Sequence, residues 1–407
     1  MKTNQLPISL EQEEIERFRK DTPGCLQRIH LNNAGASLPT QVVTDAMVSY
    51  LQKEALIGGY ELKAQMAEDI QGFYELTAQL LHTQAHNIAY TSSATDSYAR
   101  ALSSIPFEEG DIILTTDDDY VSNQLAFLSL QKRYGVDVRH CPISAEGGMD
   151  IQRMMEMIRQ LRPKVVAITH VPTNSGLVQD VAPIGAICQE VGSLYLVDAC
   201  QSLGQMDVNV EQIQCDFLSA TGRKFLRGPR GTGLLYISDR ALDKGLTPLF
   251  LDLRGADWKE KDQFTVMNSA RRYEYWEFPY ALLLGLKEAV NYASKIGLDR
   301  IEQRVRYLAN YTRQKLGELD FVRSQDRGAR LCGIVTFTLD GHSKEDMQQI
   351  QRELIKEGVN LSSTGRSSAL IDFDRKQIDW IMRLSPHYYN TEEEIDRCIE
   401  MLAHFAK

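Results

Sequence analysis

Residues 219–233 read SATGRKFLRGPRGTG and set a single lysine, Lys224, among small hydroxyl and glycine residues. A strand-like run at 216–218 leads into this stretch, and another at 234–237 follows it. Residues 194–199 read LYLVDA, a buried-strand pattern that ends on the carboxylate of Asp198. The order of these runs predicts that Lys224 and Asp198 lie at the ends of adjacent strands.

A lysine paired with an aspartate in this way predicts a site for pyridoxal phosphate (PLP). The lysine can hold the aldehyde of that cofactor as a Schiff base, and the aspartate can keep the pyridine nitrogen protonated so that the ring accepts electrons. The simpler alternatives are that Lys224 is a surface lysine on a glycine-rich loop and that Asp198 caps a helix. The two residues together weaken those alternatives.

The segments VDACQS at 197–202 and ATGRK at 220–224 resemble the aminotransferase class V group of fold-type I PLP enzymes. That group includes cysteine desulfurases, isopenicillin-N-epimerase-like proteins and the C–S lyases of ergothioneine biosynthesis. The resemblance runs from about residue 28 to the C-terminus. It implies an α/β fold with a large, mostly parallel sheet domain and a small α+β domain, and it implies a homodimer that binds pyridoxal 5′-phosphate.

The length of 407 residues suits one large and one smaller domain. We expect an N-terminal segment at 1–30 that packs with the small domain, a large PLP-binding domain at 31–285 and a small C-terminal α+β domain at 286–407. Between residue 86 and about 240, strand and helix patterns alternate, which indicates βαβ units. Outside this region, long helical patterns cover 61–82 and 281–318.

Composition excludes several classes of partner. Apolar residues make up 43% and charged residues 25%, an ordinary globular balance. The net charge of −10 and the lack of a concentrated basic block argue against nucleic acid and membrane partners. No apolar run approaches the ~20 residues of a membrane span, and the charged N-terminal sequence is not typical of a signal peptide. Seven scattered cysteines without CxxC spacing suggest a cytoplasmic location and no metal site.

Ligands of such sheets collect at the carboxyl ends of the strands. This rule places five side chains along one rim: Thr95, Tyr120, His170, Asp198 and Lys224. The hydroxyl-rich junction TSSATD at 91–96 predicts an anion site at a helix N-terminus, here for the cofactor phosphate, although plain N-capping is the alternative. The resemblance implies phosphate contacts from Ala94, Thr95, Thr221 and Arg223, and Arg223 stands where the family has histidine.

Other residues are expected around the cofactor ring. Tyr120, in DDYVSN at 118–123, falls at the ring-stacking position of the family, with a core tyrosine as the alternative. The resemblance implies that Gln201 bonds the cofactor hydroxyl and that Trp276 lies in a segment that reaches the neighbouring subunit. A solvated, charged loop is the alternative for that segment.

The stretch THVPTNSG at 169–176 ends a strand at the same rim. We expect His170 to orient the Asp198 region, and we expect Thr173 or Asn174 to reach the cofactor or substrate. A satisfied core histidine is the alternative for His170.

The substrate side is predicted around Arg383, in MRLS at 382–385. A planar guanidinium in a buried strand suits the α-carboxylate of an amino acid, whereas a structural salt bridge is the alternative. Alignment with the family also assigns Asn33, Gly35 and Tyr60 to this side.

The loop expected at 362–369 reads SSTGRSSA and contains no cysteine, whereas the desulfurases carry a mobile nucleophilic cysteine there. Cys332 falls in a strand pattern and Cys398 in a helix pattern, so neither suits that role. We therefore expect that a cysteine desulfurase is disfavoured. Three stretches most resemble the sulfoxide C–S lyases of ergothioneine-type pathways: the turn Gly58-Gly59-Tyr60, residues 119–123, and RKFLRGPRG at 223–231. This resemblance implies a C–S β-lyase like the hercynylcysteine-sulfoxide lyases, with a class V aminotransferase or an epimerase-like enzyme as alternative. A cofactor-binding sensor without turnover is the remaining class.

Overall fold

The computed structural model describes residues 9–406. The helices are α1 Gln12–Lys20, α2 Gln41–Ile57, α3 Gly59–Gln65, α4 Ala67–Leu81, α5 Ala94–Ser103, α6 Val121–Tyr134, α7 Ile151–Leu161, α8 Ala182–Val191, α9 Val210–Ile213, α10 Asp239–Asp243, α11 Tyr280–Ile296, α12 Leu298–Gly317, α13 Lys344–Lys356, α14 Leu370–Lys376 and α15 Glu392–Ala403. The strands are β1 Ile29–His30, β2 Ile88–Thr91, β3 Ile112–Thr116, β4 Asp137–Cys141, β5 Val165–Thr169, β6 Leu194–Asp198, β7 Phe217–Thr221, β8 Gly233–Ile237, β9 Ala256–Glu260, β10 Gln263–Val266, β11 Val322–Ser324, β12 Val335–Leu339, β13 Val359–Asn360, β14 Ser362–Gly365 and β15 Trp380–Leu384.

A seven-stranded sheet with the order β2-β8-β7-β6-β5-β3-β4 forms the centre of the molecule. All neighbouring strands are parallel except β8, which runs antiparallel to β2 and β7. Successive residues of β5 alternate between two hydrophobic clusters, with Val165 in one and Val166 in the other. Both faces of the sheet are therefore covered, which explains why the inner strands β5 and β6 are apolar at nearly every position. The predicted α/β architecture with a mostly parallel sheet is confirmed.

A second, antiparallel sheet has the order β11-β12-β15-β14. Its apolar side packs with α12, α13 and α15 around a separate cluster that includes Leu308, Phe337 and Leu384. The strand β1 pairs in parallel with β13, and Leu31 belongs to the same cluster. The limits at 30 and 285 stay a prediction, and residues 1–8 of the expected N-terminal segment lie outside the described residues.

Three sequence-based expectations about elements differ from the structure. The helix expected at 61–82 is divided at Met66, and the pattern at 281–318 is divided at Gly297, whose φ of 95° suits glycine. The expected loop at 362–369 begins as the strand β14, in which Ser362 pairs with Arg383 of β15. This strand is polar throughout, so it has no hydrophobic alternation from which it could be predicted.

Among residues 9–406, no helix is long and apolar enough to cross a membrane. Within the same range, no group of three or more His, Cys, Asp or Glu side chains is arranged to hold a metal ion.

Candidate active site

A cavity of about 300 Å³ lies at the carboxyl edge of the large sheet. Nine of the residues that the sequence suggested line this cavity: Ala94, Thr95, Tyr120, Thr173, Asp198, Gln201, Thr221, Arg223 and Lys224. They meet because β2, β6 and β7 all end near this edge, next to the first turns of α5 and α6.

Lys224 follows β7 in a tight turn closed by the Gly228 N–H bond to the carbonyl of Gly222 (2.7 Å). Its side chain is buried, with 8% exposure, and makes no ion pair within residues 9–406. Burial lowers the pKa of Lys224, whereas the nearby Cys200 and Asp198 oppose that shift. A lysine whose ammonium form is disfavoured in this way presents a more nucleophilic amine.

Asp198 ends β6, and both oxygens of its carboxylate accept hydrogen bonds. The backbone N–H of Cys200 donates to Oδ1 (2.9 Å), and the amide Nδ2 of Asn123 donates to Oδ2 (3.0 Å). His170 contacts Asp198 through its backbone, where its N–H donates to the Asp198 carbonyl (2.9 Å). The imidazole of His170 does not line the cavity, and burial lowers its pKa to about 4.

The anion-binding features lie at the start of α5. Ser93 caps this helix by accepting a hydrogen bond from the Asp96 N–H (3.1 Å), whereas the N–H groups of the first helical residues have no partner within a helix. A Cβ on Gly233 would come within 2.5 Å of the Ser93 carbonyl carbon, so β8 passes close beneath this turn. Arg223 and Arg230 line the same cavity and add positive charge. Capping and anion binding are therefore compatible here.

Arg383 lies in β15 and is 7% exposed. Its Nη1 donates to the carbonyl (2.9 Å) and hydroxyl (2.7 Å) of Thr173, and Gln201 Nε2 donates to the same hydroxyl (2.9 Å). Its Nε has no hydrogen-bond partner, and no carboxylate in residues 9–406 pairs with it. Burial lowers the pKa of Arg383 to about 10, with a further contribution from Arg223. The alternative of a structural salt bridge is thus not realised.

Besides His170, Arg383 and Asn174, four of the suggested residues do not line the cavity. Tyr60 is 72% exposed on α3, and Trp276 is also exposed, with its ring 4.6 Å from Lys63 Nζ. Asn33 is buried, and its amide donates to the Ser385 carbonyl (2.8 Å). The carbonyl of Gly35 accepts a hydrogen bond from Arg223, so Gly35 supports the cavity from outside. Their predicted cofactor or substrate roles stay predictions.

The cavity lining also includes residues to which the sequence assigned no role, among them the four polar side chains of Asn123, Thr169, Cys200 and Arg230. All four stand inside the motifs quoted from the sequence, so proximity to those motifs was an available signal. Asn174 does not line the cavity; instead its Nδ2 donates to the carboxylate of Asp372 (2.5 Å) on α14.

A sequence profile of the aminotransferase class-V family matches residues 29–398. The chain belongs to the aminotransferase class-V family. Enzymes of this family depend on PLP, which confirms the predicted enzyme class and cofactor. The residues of the cavity fit this cofactor. Lys224 is a buried lysine without an ion pair in residues 9–406, Asp198 supplies a carboxylate, and the start of α5 carries the positive end of a helix dipole.

The relatives are similar over almost their whole length. A probable cysteine desulfurase of Methanothermobacter thermautotrophicus is 28% identical over 394 residues, with 96% of this chain and 98% of the relative covered. A probable cysteine desulfurase of Pyrococcus abyssi is 28% identical, with the same coverage. The apo structure of a cysteine desulfurase from Thermococcus onnurineus NA1 superposes with a TM-score of 0.88 at 26% identity, covering 97% of this chain and 98% of that one.

These findings correct the expectation about function. A cysteine desulfurase was disfavoured because the segment at 362–369 has no cysteine, yet the relatives are named cysteine desulfurases. The preference for a hercynylcysteine-sulfoxide-lyase-like enzyme over a cysteine desulfurase is wrong for the same reason, and these names give no support to an aminotransferase or epimerase-like enzyme as the alternative. Similarity along the whole chain is broader evidence than the absence of one cysteine from residues 362–369. The finer resemblance to the ergothioneine-pathway and epimerase-like branch stays a prediction.

Proposed function

We propose that this protein uses PLP to cleave the C–S bond of L-cysteine or a related amino acid and that the sulfur passes to an external thiol. The observation that carries the proposal is the buried amine of Lys224, without an ion pair, in the same cavity as the carboxylate of Asp198. Cleavage of a C–S bond is supported by the relatives, which are named cysteine desulfurases.

Each group around the cavity has a defined task in this proposal. When bound, PLP holds the amino group of the substrate and accepts the electron pair released at the α-carbon. Lys224 holds the cofactor and then removes the α-proton, while Asp198 keeps the ring nitrogen protonated. The N-terminus of α5 and Arg223 bind the phosphate, and Tyr120 covers the ring.

Arg383 is proposed to bind the α-carboxylate of the substrate. Its unpartnered Nε and its lack of an ion pair leave donors for an anion, and Thr173 holds the guanidinium in place through Nη1. A fork of two parallel hydrogen bonds to a carboxylate would orient the substrate toward Lys224.

The sulfur acceptor is proposed to come from outside the chain. Cys200 lines the cavity, but burial raises the pKa of its thiol and the neighbouring Asp198 adds to that shift, so the thiol stays protonated. Burial also raises the pKa of Cys332 and of Cys398 to about 12. An external thiolate would attack the substrate sulfur, and the electron pair of the C–S bond would stay on carbon. A proton would complete the methyl group of alanine, and the acceptor would become a persulfide.

The test is to supply the holoenzyme with L-cysteine and dithiothreitol and to measure alanine, sulfide and pyruvate. We expect alanine and sulfide in equal amounts, loss of both products in Lys224→Ala, and retention of activity in Cys200→Ser. Pyruvate and ammonia in place of alanine would replace this proposal with an elimination. Loss of alanine formation in Cys200→Ser would contradict the external acceptor.

We also propose a cytoplasmic homodimer. It is supported by exposed apolar side chains in the loop after α10, including Phe250 (75% exposed) and Leu253. Trp276 lies close to this loop, because its backbone N–H donates to the carboxylate of Asp252. The free cysteines are consistent with a reducing compartment. Light scattering should give twice the chain mass, and Phe250→Asp with Leu253→Asp should shift it to the monomer.

A further inference from the structure

A second buried carboxylate, Asp119, lies behind Asp198 in the turn between β3 and α6. It is 5% exposed and has no lysine or arginine partner within residues 9–406. Its hydrogen bonds come from neutral donors: Tyr120 N (2.7 Å), Thr169 Oγ1 (2.5 Å), Asn123 Nδ2 (2.9 Å) and Gln124 Nε2 (2.8 Å). The N-terminus of α6 adds a favourable dipole. Within residues 9–406, neutral donors and the helix dipole are therefore the groups that stabilise the carboxylate form of Asp119.

Asn123 connects the two carboxylates. Its Nδ2 donates to Asp119 Oδ1 (2.9 Å) and to Asp198 Oδ2 (3.0 Å), and an amide nitrogen has two hydrogens to give. If the amide group of Asn123 rotated by 180°, its oxygen would face both carboxylates and would be repelled by them. The hydrogen bond to Asp119 therefore keeps Asn123 oriented so that its Nδ2 donates to Asp198. The second oxygen of Asp198 is held by the Cys200 N–H.

The charge of Asp119 also acts at a distance. A negative charge near a carboxylate raises the proton affinity of that carboxylate. It also raises the proton affinity of a base that is bound to the carboxylate, such as a ring nitrogen at Asp198. Burial raises the pKa of Asp119, and the charge of Asp198 contributes in the same direction, while hydrogen bonds from Thr169 and Asn123 oppose it. The charges of Asp119 and Asp198 therefore interact, and the amide of Asn123 lies between the two carboxylates.

We infer that Asp119 is a positioning residue: it orients Asn123 toward Asp198 and supplies negative charge that keeps a cofactor ring nitrogen protonated at Asp198. The inference rests on the proposed function, because it needs PLP bound with its ring nitrogen at Asp198. Its consequence is that the ring keeps its proton, and with it the capacity to accept electrons, to a higher pH than Asp198 alone would allow.

The experiment follows the ring nitrogen directly. The holoenzyme is loaded with PLP carrying ¹⁵N in the ring, and the nitrogen is titrated by NMR in the wild type, Asp119→Asn, Asp119→Ala and Asn123→Ala. We expect the proton to be lost about one pH unit lower in Asp119→Asn and Asp119→Ala, which remove the negative charge, and at an altered pH in Asn123→Ala, which removes the amide between the two carboxylates. Asp137→Asn on β4 removes a partly exposed carboxylate away from Asp119 and Asp198 and should leave the titration unchanged.

The outcomes separate the two proposals. A ring nitrogen that is protonated in the wild type and titrates identically in Asp119→Asn and Asp119→Ala overturns the role of Asp119 and leaves it as a residue at the start of α6. A ring nitrogen without a proton at pH 7 in the wild type contradicts the role of Asp198 itself. If the Asp119 variants do not fold, Asn123→Ala tests the orienting role, because Asp119 keeps its other donors in that variant, and an unchanged titration there overturns the inference.

Discussion

At the scale of single residues, two buried side chains, Lys224 in the cavity and Arg383 bound to its wall at Thr173, have no carboxylate partner within residues 9–406. A buried charge without a partner is costly, so such groups normally pair or lose their charge. Burial lowers the pKa of both side chains. The cost is offset once the Lys224 amine carries the cofactor and the Arg383 guanidinium carries a carboxylate.

Reduction of the holoenzyme with borohydride should attach the pyridoxyl group to Lys224, because this is the buried unpaired amine of the cavity. Peptide mass mapping locates the label, and attachment to another lysine would contradict the assignment. Lys224→Ala should lower turnover by at least ~10³-fold, since its amine is the proposed base. The exposed Lys132→Ala serves as the control and should keep full activity.

Arg383→Ala should raise KM for L-cysteine by roughly 10- to 100-fold, the range expected for the loss of a hydrogen bond to a charged group. The turnover number should change less, because the contact forms before the transition state. Arg366→Ala removes an exposed arginine that pairs with Asp374 and should leave KM unchanged. An unaltered KM in Arg383→Ala would exclude the carboxylate role.

At the scale of elements, α14 is fastened to two turns of the large sheet by a buried charge cluster. Asp372 accepts a hydrogen bond from Asn174 (2.5 Å) and pairs with Arg375 (2.5 Å) and Lys376 (2.8 Å). Arg375 also pairs with Asp118 (2.9 Å), next to the turn that carries Asp119. The cluster therefore ties the segment after β14 to the walls of the cavity.

Asp372→Ala should lower the free energy of unfolding by about 3–5 kcal/mol, because it leaves the buried Lys376 without its counter-ion. Urea unfolding of the holoenzyme measures this change. Asp374→Ala on the same helix removes an exposed carboxylate that pairs with Arg366 and should have little effect. Equal stabilities of the two variants would show that the cluster does not fasten α14.

At the scale of the whole molecule, three buried histidines couple stability to acid. Burial lowers the pKa of His30 and of His170 to about 4, and it lowers the pKa of His387 well below its usual range. The unfolded chain binds these protons near pH 6.5. Stability from these groups is therefore fully present above pH 6.5 and is lost as the pH falls toward 4.

When the pH is lowered from 7 to 5, each of these histidines should decrease the free energy of unfolding by about 2 kcal/mol. Urea unfolding at the two values measures the loss, and His387→Gln should reduce the difference by that amount. The exposed His404→Gln should not alter it. A pH difference that is equal in wild type and His387→Gln would contradict the link to this histidine.

Sequence patterns predicted the large sheet because each of its inner strands is apolar along its length, as in Val165–Thr169. They also predicted most of the cavity, since its residues stand in short motifs at strand ends. They did not predict β14, which is polar, or the hairpin of β9 and β10, whose paired Trp258 and Phe264 are both exposed. Neither element has the periodicity on which such prediction depends.

The amino-acid sequence by itself determined the family, the α/β architecture, and the identity of Lys224 and Asp198, because strand ends and glycine-rich turns are encoded locally. Only the tertiary structure decided that Arg383 has no carboxylate partner within residues 9–406, that Asn123 donates to two carboxylates and that Asn174 contacts Asp372. Asn174 and Asp372 are 198 positions apart in the chain. Such contacts depend on how the two sheets pack together, and no local pattern records that packing.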